Sequence, residues 1–211
     1  MRRQHFAAAL FLLLLAQPAS AQLFEGLGSA VPGEDAVSVG ILFGQMSPQT
    51  TFRDGGSFDS STLIGVSLNF WVLRNFGFQL AASGTEHAGL PASDGRSSIV
   101  SGRDPRIWTT MIDAVGRLPL GGDGPVSLSP YVAVGGGWKT YRWQFDPQGG
   151  PDARGFDLAW SYAAGLDLRF GAQRRFGLRA EYRDLRTPIE RWGEDLTHKD
   201  RVLTGGLLLN F

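Results

Sequence analysis

The chain has 211 residues, no cysteine, and 20 basic residues against 20 acidic ones. The missing cysteine excludes disulfides, thiolate metal sites, cysteine nucleophiles and a lipid-attachment residue behind an export signal. The even charge argues against a nucleic-acid partner, which requires a basic face.

At the N-terminus, Arg2 and Arg3 precede an unbroken apolar run from Phe6 to Ala16, and Gln17-Pro18 breaks it before Ala19-Ser20-Ala21. That order reads as a cleaved signal peptide, residues 1–21, because the run is too short to anchor a helix in a bilayer. Losing the two arginines leaves the mature chain slightly acidic. Residues 22–35 hold glycine and proline with little periodicity, an irregular periplasmic lead-in. Whether it tucks under the rest of the chain stays open.

From residue 36 the pattern has a period of two, the spacing of a strand with two unlike faces. Ala36 to Met46 sets Val37, Val39, Ile41 and Phe43 against Ser38, Gly40, Leu42 and Gly44. After a polar loop, Ser61 to Val72 sets Ile64, Val66, Leu68 and Phe70 against Gly65, Ser67 and Asn69. A tight turn at Leu73-Arg74-Asn75 leads into Phe76 to Ser83, and a long loop, Gly84 to Pro105, follows. Ile107 to Leu118 places Trp108, Thr110, Ile112 and Ala114 opposite Thr109, Met111, Asp113, Val115 and Arg117. The Gly/Pro-rich turn Pro119 to Pro125 reverses the chain.

Val126 to Tyr141 comes next, with Leu128, Val132, Val134 and Trp138 against Ser129, Tyr131, Ala133, Gly135 and Lys139. A loop from Arg142 to Gly155 precedes Phe156 to Phe170, in which Trp160, Tyr162, Ala164, Leu166 and Leu168 oppose Ser161, Ala163, Gly165, Asp167 and Arg169. Phe176 to Leu185 puts Leu178, Ala180 and Tyr182 opposite Arg179, Glu181 and Arg183, and a loop from Arg186 to Lys199 is expected after it. The closing stretch, Val202 to Phe211, has Leu203, Leu207, Leu209 and Phe211 on one face. About eight strands with alternating long and short connections describe an antiparallel transmembrane β-barrel over residues 36–211, with both termini in the periplasm. A mean hydropathy of −0.08 suits an apolar exterior around a polar interior.

Charge and aromatic placement decide which face meets lipid. One parity carries Asp113, Arg117, Lys139, Asp167, Arg169, Arg179, Glu181 and Arg183. A charge facing lipid costs roughly 2–4 kcal/mol near the midplane and about 0–1 kcal/mol near the interfaces. Reversing the faces would exceed a domain's whole stability of roughly 5–15 kcal/mol. These eight residues therefore point inward as a lumen charge network. Asp184 and Arg201, on the outward parity, are expected at strand ends. Phe70, Phe76, Phe170, Phe176 and Phe211 flank short turns or the C-terminus, and Trp108, Trp138, Trp160 and Tyr182 lie nearer long loops. Two aromatic bands are what interfacial anchoring predicts.

Three stretches carry a family resemblance: Pro130-Tyr131-Val132-Ala133-Val134-Gly135-Gly136-Gly137, Leu178-Arg179-Ala180-Glu181-Tyr182-Arg183, and Gly205-Gly206-Leu207-Leu208-Leu209-Asn210-Phe211. Together they resemble the small outer-membrane β-barrel family, in the broad OmpA-like and opacity-protein group, over essentially the whole mature chain. The resemblance implies the outer membrane of a Gram-negative-type cell, surrounded by outer-membrane lipids and lipopolysaccharide. It also implies that Phe211 is the signal read by the outer-membrane assembly machinery, a transient partner. Its motifs are architectural and identify a scaffold.

Chemistry beyond the scaffold is sparse. The inward charges read either as a salt-bridged plug, since barrels of about eight strands are just wide enough to be filled by side chains, or as a gate whose pairs re-form to pass ions or small solutes. For a lipid-modifying enzyme the candidates are the loop residues His87 and His198 with Ser60, Ser61 or Ser83 as nucleophile. No nucleophile motif supports them, so no catalytic activity is expected. Asp54, Asp59, Asp94, Asp146 and Asp152 offer oxygen ligands to Ca²⁺ in glycine-rich loops, but the spacing of an EF-hand loop is absent. No cofactor or metal is expected. A structural or surface-interaction role with a mostly closed lumen is the reading the residues favour, with a narrow porin-like channel as the alternative.

Overall fold

The computed structural model describes residues 36–50, 60–85, 106–120, 125–143, 153–171, 174–189 and 196–211. The expected signal peptide and lead-in lie outside them. Eight strands follow one another: β1 (Val37–Pro48), β2 (Ser61–Leu73), β3 (Phe76–Thr85), β4 (Arg106–Arg117), β5 (Val126–Trp143), β6 (Ala153–Phe170), β7 (Phe176–Ile189) and β8 (Leu196–Asn210). Each pairs antiparallel with the next, and β8 returns to β1, so the sheet closes into a barrel in chain order. The seam runs from Ser38↔Asn210 to Pro48↔Asp200. At its foot the Phe211 amide donates to the Val37 carbonyl at 2.9 Å. Closure removes both sheet edges, which no solvent would otherwise satisfy inside a bilayer.

Alternation sorts the side chains as expected. Phe43, Ile64, Phe78, Ile112, Val132, Leu158 and Leu207 stand exposed on the outside, and Trp108 is 57% exposed there. An apolar surface this continuous belongs against lipid. Trp71 goes the other way. Its inward parity, shared with Ser67 and Asn69, buries the indole inside, and the register shift between Trp71 and Leu73 in the β2–β3 ladder then leaves Val72 and Leu73 both exposed, as bulges re-aim side chains.

The upper strand ends differ from the sequence expectation. The expected loop Arg142 to Gly155 shrinks because β5 continues to Trp143 and β6 starts at Ala153. The expected loop Arg186 to Lys199 is mostly ladder, paired from Arg186↔Lys199 to Ile189↔Leu196. Above the lipid both faces of a strand are polar, so the period-two contrast fades while backbone pairing continues. Asp184 and Arg201 therefore do not end strands; they face one another within the β7–β8 ladder. Tyr182 comes to lie near the middle of β7.

Candidate functional site: the lumen

The inner face of β7 presents Arg179, Glu181 and Arg183 at every second position, all buried. Arg179 forks onto Asp167, which the register sets directly opposite on β6, with Nε–Oδ1 2.7 Å and Nη2–Oδ2 2.8 Å. Its Nη1 donates across the lumen to Asn69 Oδ1 of β2 at 3.1 Å, and its guanidinium lies 4.7 Å from the centre of the Tyr131 ring. Tyr131, on β5, donates its hydroxyl to Glu181 Oε2 at 2.7 Å. Glu181 Oε1 takes Arg183 Nε at 3.0 Å. Arg183 Nη1 then reaches Asp113 Oδ2 of β4 at 2.8 Å and donates to Ser161 Oγ of β6 at 2.7 Å.

One connected network thus ties β2, β4, β5, β6 and β7 together through the interior. Glycine makes room for it: Gly165 sits opposite Tyr131 in the ladder, and a side-chain carbon there would collide with the phenol. Bidentate pairing and the extra donors are what let ions persist away from water.

The other predicted lumen residues lie elsewhere on the inner face. Lys139, fully buried, pairs with Asp200 on β8 at 2.6 Å. Arg117 donates Nε to the Arg74 carbonyl at 2.9 Å and lies 3.7 Å from the centre of the Trp71 ring, at the short-turn end. Arg169 is buried on the inner face of β6 between Ser127 and Gly177. Sequence reasoning missed Asp200, Tyr131, Asn69, Ser161 and Trp71 as partners. The inward parity of each was readable, but who meets whom across the lumen was not. It also overlooked two apolar clusters inside the barrel, Trp71, Val115, Tyr131, Ala133 and Ala163 in one and Met111, Ala159 and Leu185 in the other.

The family model for the outer membrane protein β-barrel domain matches residues 7–211. The chain belongs to that family. Solved structures agree in fold. Neisserial surface protein A superposes with a TM-score of 0.60 at 13% identity, covering 85% of this chain and 99% of that one. The outer membrane protein OprG of Pseudomonas aeruginosa gives 0.52 at 15% identity, covering 86% and 99%. The N-terminal β-barrel domain of OprF from the same organism gives 0.51 at 16% identity, covering 84% and 99%. No curated protein matches the chain. Membership of the family places this barrel in the outer membrane.

The other candidates of this outer-membrane barrel fare differently. His198 is not a loop residue: it sits on the inner face of β8 and is 1% exposed. Ser60 is exposed and donates to Ser47 Oγ at 3.1 Å, Ser61 is buried, and Ser83 lies on β3 opposite Gly65 and Thr109. His87, Asp54, Asp59, Asp94, Asp146 and Asp152 lie outside the described residues. Phe211 is exposed at the foot of the seam.

Proposed function

We propose that this protein is a closed scaffold of the outer membrane that acts through its surface and does not conduct. The observation that carries this reading is the way side chains bridge the lumen at successive heights. Arg179–Asn69 crosses it at one level, beside Tyr131–Glu181 bridging over Gly165 along the wall, with Arg183–Asp113 at the next and Lys139–Asp200 nearer the loops. Apolar clusters are interleaved with these pairs. Opening a path would break several desolvated ion pairs at once, each costing about 3–5 kcal/mol when one partner is left alone.

The competing reading is a narrow pore for ions or small solutes, in which these pairs exchange partners. Recordings of the purified, refolded barrel in planar bilayers separate the two. A scaffold is silent; discrete openings that change with Glu181→Ala overturn it. Catalysis on lipids at the rim finds little support, because His198 points into the barrel, away from the acyl chains.

Phe211 serves in this reading as the assembly signal. Its deletion slows membrane insertion more than replacement of any loop residue does, measured by folding into vesicles that carry the assembly machinery. Equal insertion of the truncated chain removes that role.

A further inference from the structure

The outer face of β6–β7–β8 carries a cationic patch that the lumen does not account for. The register sets Trp160, Arg186 and Lys199 in one row and Tyr162, Asp184 and Arg201 in the next. The row below is Ala164, Tyr182 and Leu203, part of the apolar wall. All these residues share the lipid-facing parity. Three cations stand against one carboxylate at the point where the apolar wall of β7 and β8 ends.

Two features make the patch more than a solvated rim. First, Arg186 lies directly opposite Lys199, and like charges opposed across a ladder are destabilising unless an anion lies between them. Second, Arg186 is held in place. Its Nε meets Asp184 at 3.0 Å and its Nη2 donates to the Tyr162 hydroxyl at 3.0 Å. Its guanidinium lies 5.0 Å from the Trp160 ring centre and 5.5 Å from that of Tyr162. A planar guanidinium fixed against interfacial aromatics is suited to phosphate recognition.

We infer that Arg186, Lys199 and Arg201 form a binding site for the phosphate groups of a phosphorylated glycolipid of the outer leaflet. The loop end of such barrels faces outward, so the patch meets that leaflet at headgroup height. A lipid is the occupant because the cations share the parity of the wall directly beneath them. A bound headgroup therefore keeps its acyl chains on Tyr182 and Leu203. The inference does not depend on whether the lumen conducts.

The test uses the full chain refolded into phosphatidylcholine nanodiscs doped with diphosphoryl lipid A, with native mass spectrometry counting the glycolipid retained. The unaltered protein retains it, and the double substitution Lys199→Gln, Arg201→Gln loosens it roughly tenfold or more. Asp184→Asn, which removes the one negative charge while its amide oxygen still accepts from Arg186 Nε, tightens retention and keeps the test decisive if the double variant folds poorly. Equal retention by all three proteins overturns the site. Equal retention of phosphatidylglycerol reduces it to general attraction for anionic lipid, and displacement by inorganic phosphate makes it a free-anion site. Either result defeats the glycolipid assignment.

Discussion

Strand β7 contains the same short ion pair twice. On its inner face Arg183 Nε lies 3.0 Å from Glu181 Oε1, with side-chain exposures of 7% and 5%. On its outer face Arg186 Nε lies 3.0 Å from Asp184 Oδ1, with exposures of 30% and 16%. Both arginines follow their carboxylate by two residues, so local geometry is common to the two. What differs is the surroundings. The inner pair is extended by Tyr131, Asp113 and Ser161 into a buried network. The outer pair is backed by aromatic rings and opens onto the membrane surface. One backbone motif thus locks the interior on one side of the sheet and orients a cation on the other.

Substitutions along β7 and its partners test that contrast. The largest effect is expected from Arg179→Ala, which takes both hydrogen bonds from Asp167 and leaves that carboxylate buried without its cation. A loss of about 3–5 kcal/mol in urea unfolding of the vesicle-refolded barrel is the expected result. A shift well below that range would mean water reaches the lumen. Tyr131→Phe removes only the hydroxyl that donates to Glu181, and a loss of about 1.5–3 kcal/mol follows from a hydrogen bond to a charged group. The smallest effect belongs to Asp184→Ala, which should change the unfolding free energy by no more than about 1 kcal/mol, since a part-exposed pair contributes little and salt screens it. If Asp184→Ala proved as damaging as Arg179→Ala, the distinction between the two faces of β7 would be lost.

Much of the barrel was legible in advance because lipid imposes a local rule. Every second residue from Phe176 to Tyr182 must suit acyl chains, and its neighbours Arg179 and Glu181 must not, whatever the rest of the chain does. The rule lapses where the lipid stops. Arg186, Thr187, His198 and Lys199 carry polar groups on both faces, so the last turns of β7 and the first of β8 read as a loop. His198 consequently reads as a solvated histidine although the ladder carries it inside.

The amino-acid sequence alone determined the number of strands, the face each turns to the membrane, and the inward direction of the eight charges, because all three follow from alternation along one strand. Only the tertiary structure decided that Lys139 meets Asp200, that Arg183 meets Asp113 across the lumen, and that Arg186 stands opposite Lys199. Those pairings depend on the stagger with which eight strands close on themselves. That stagger is a property of the whole ring and leaves no trace in any one segment.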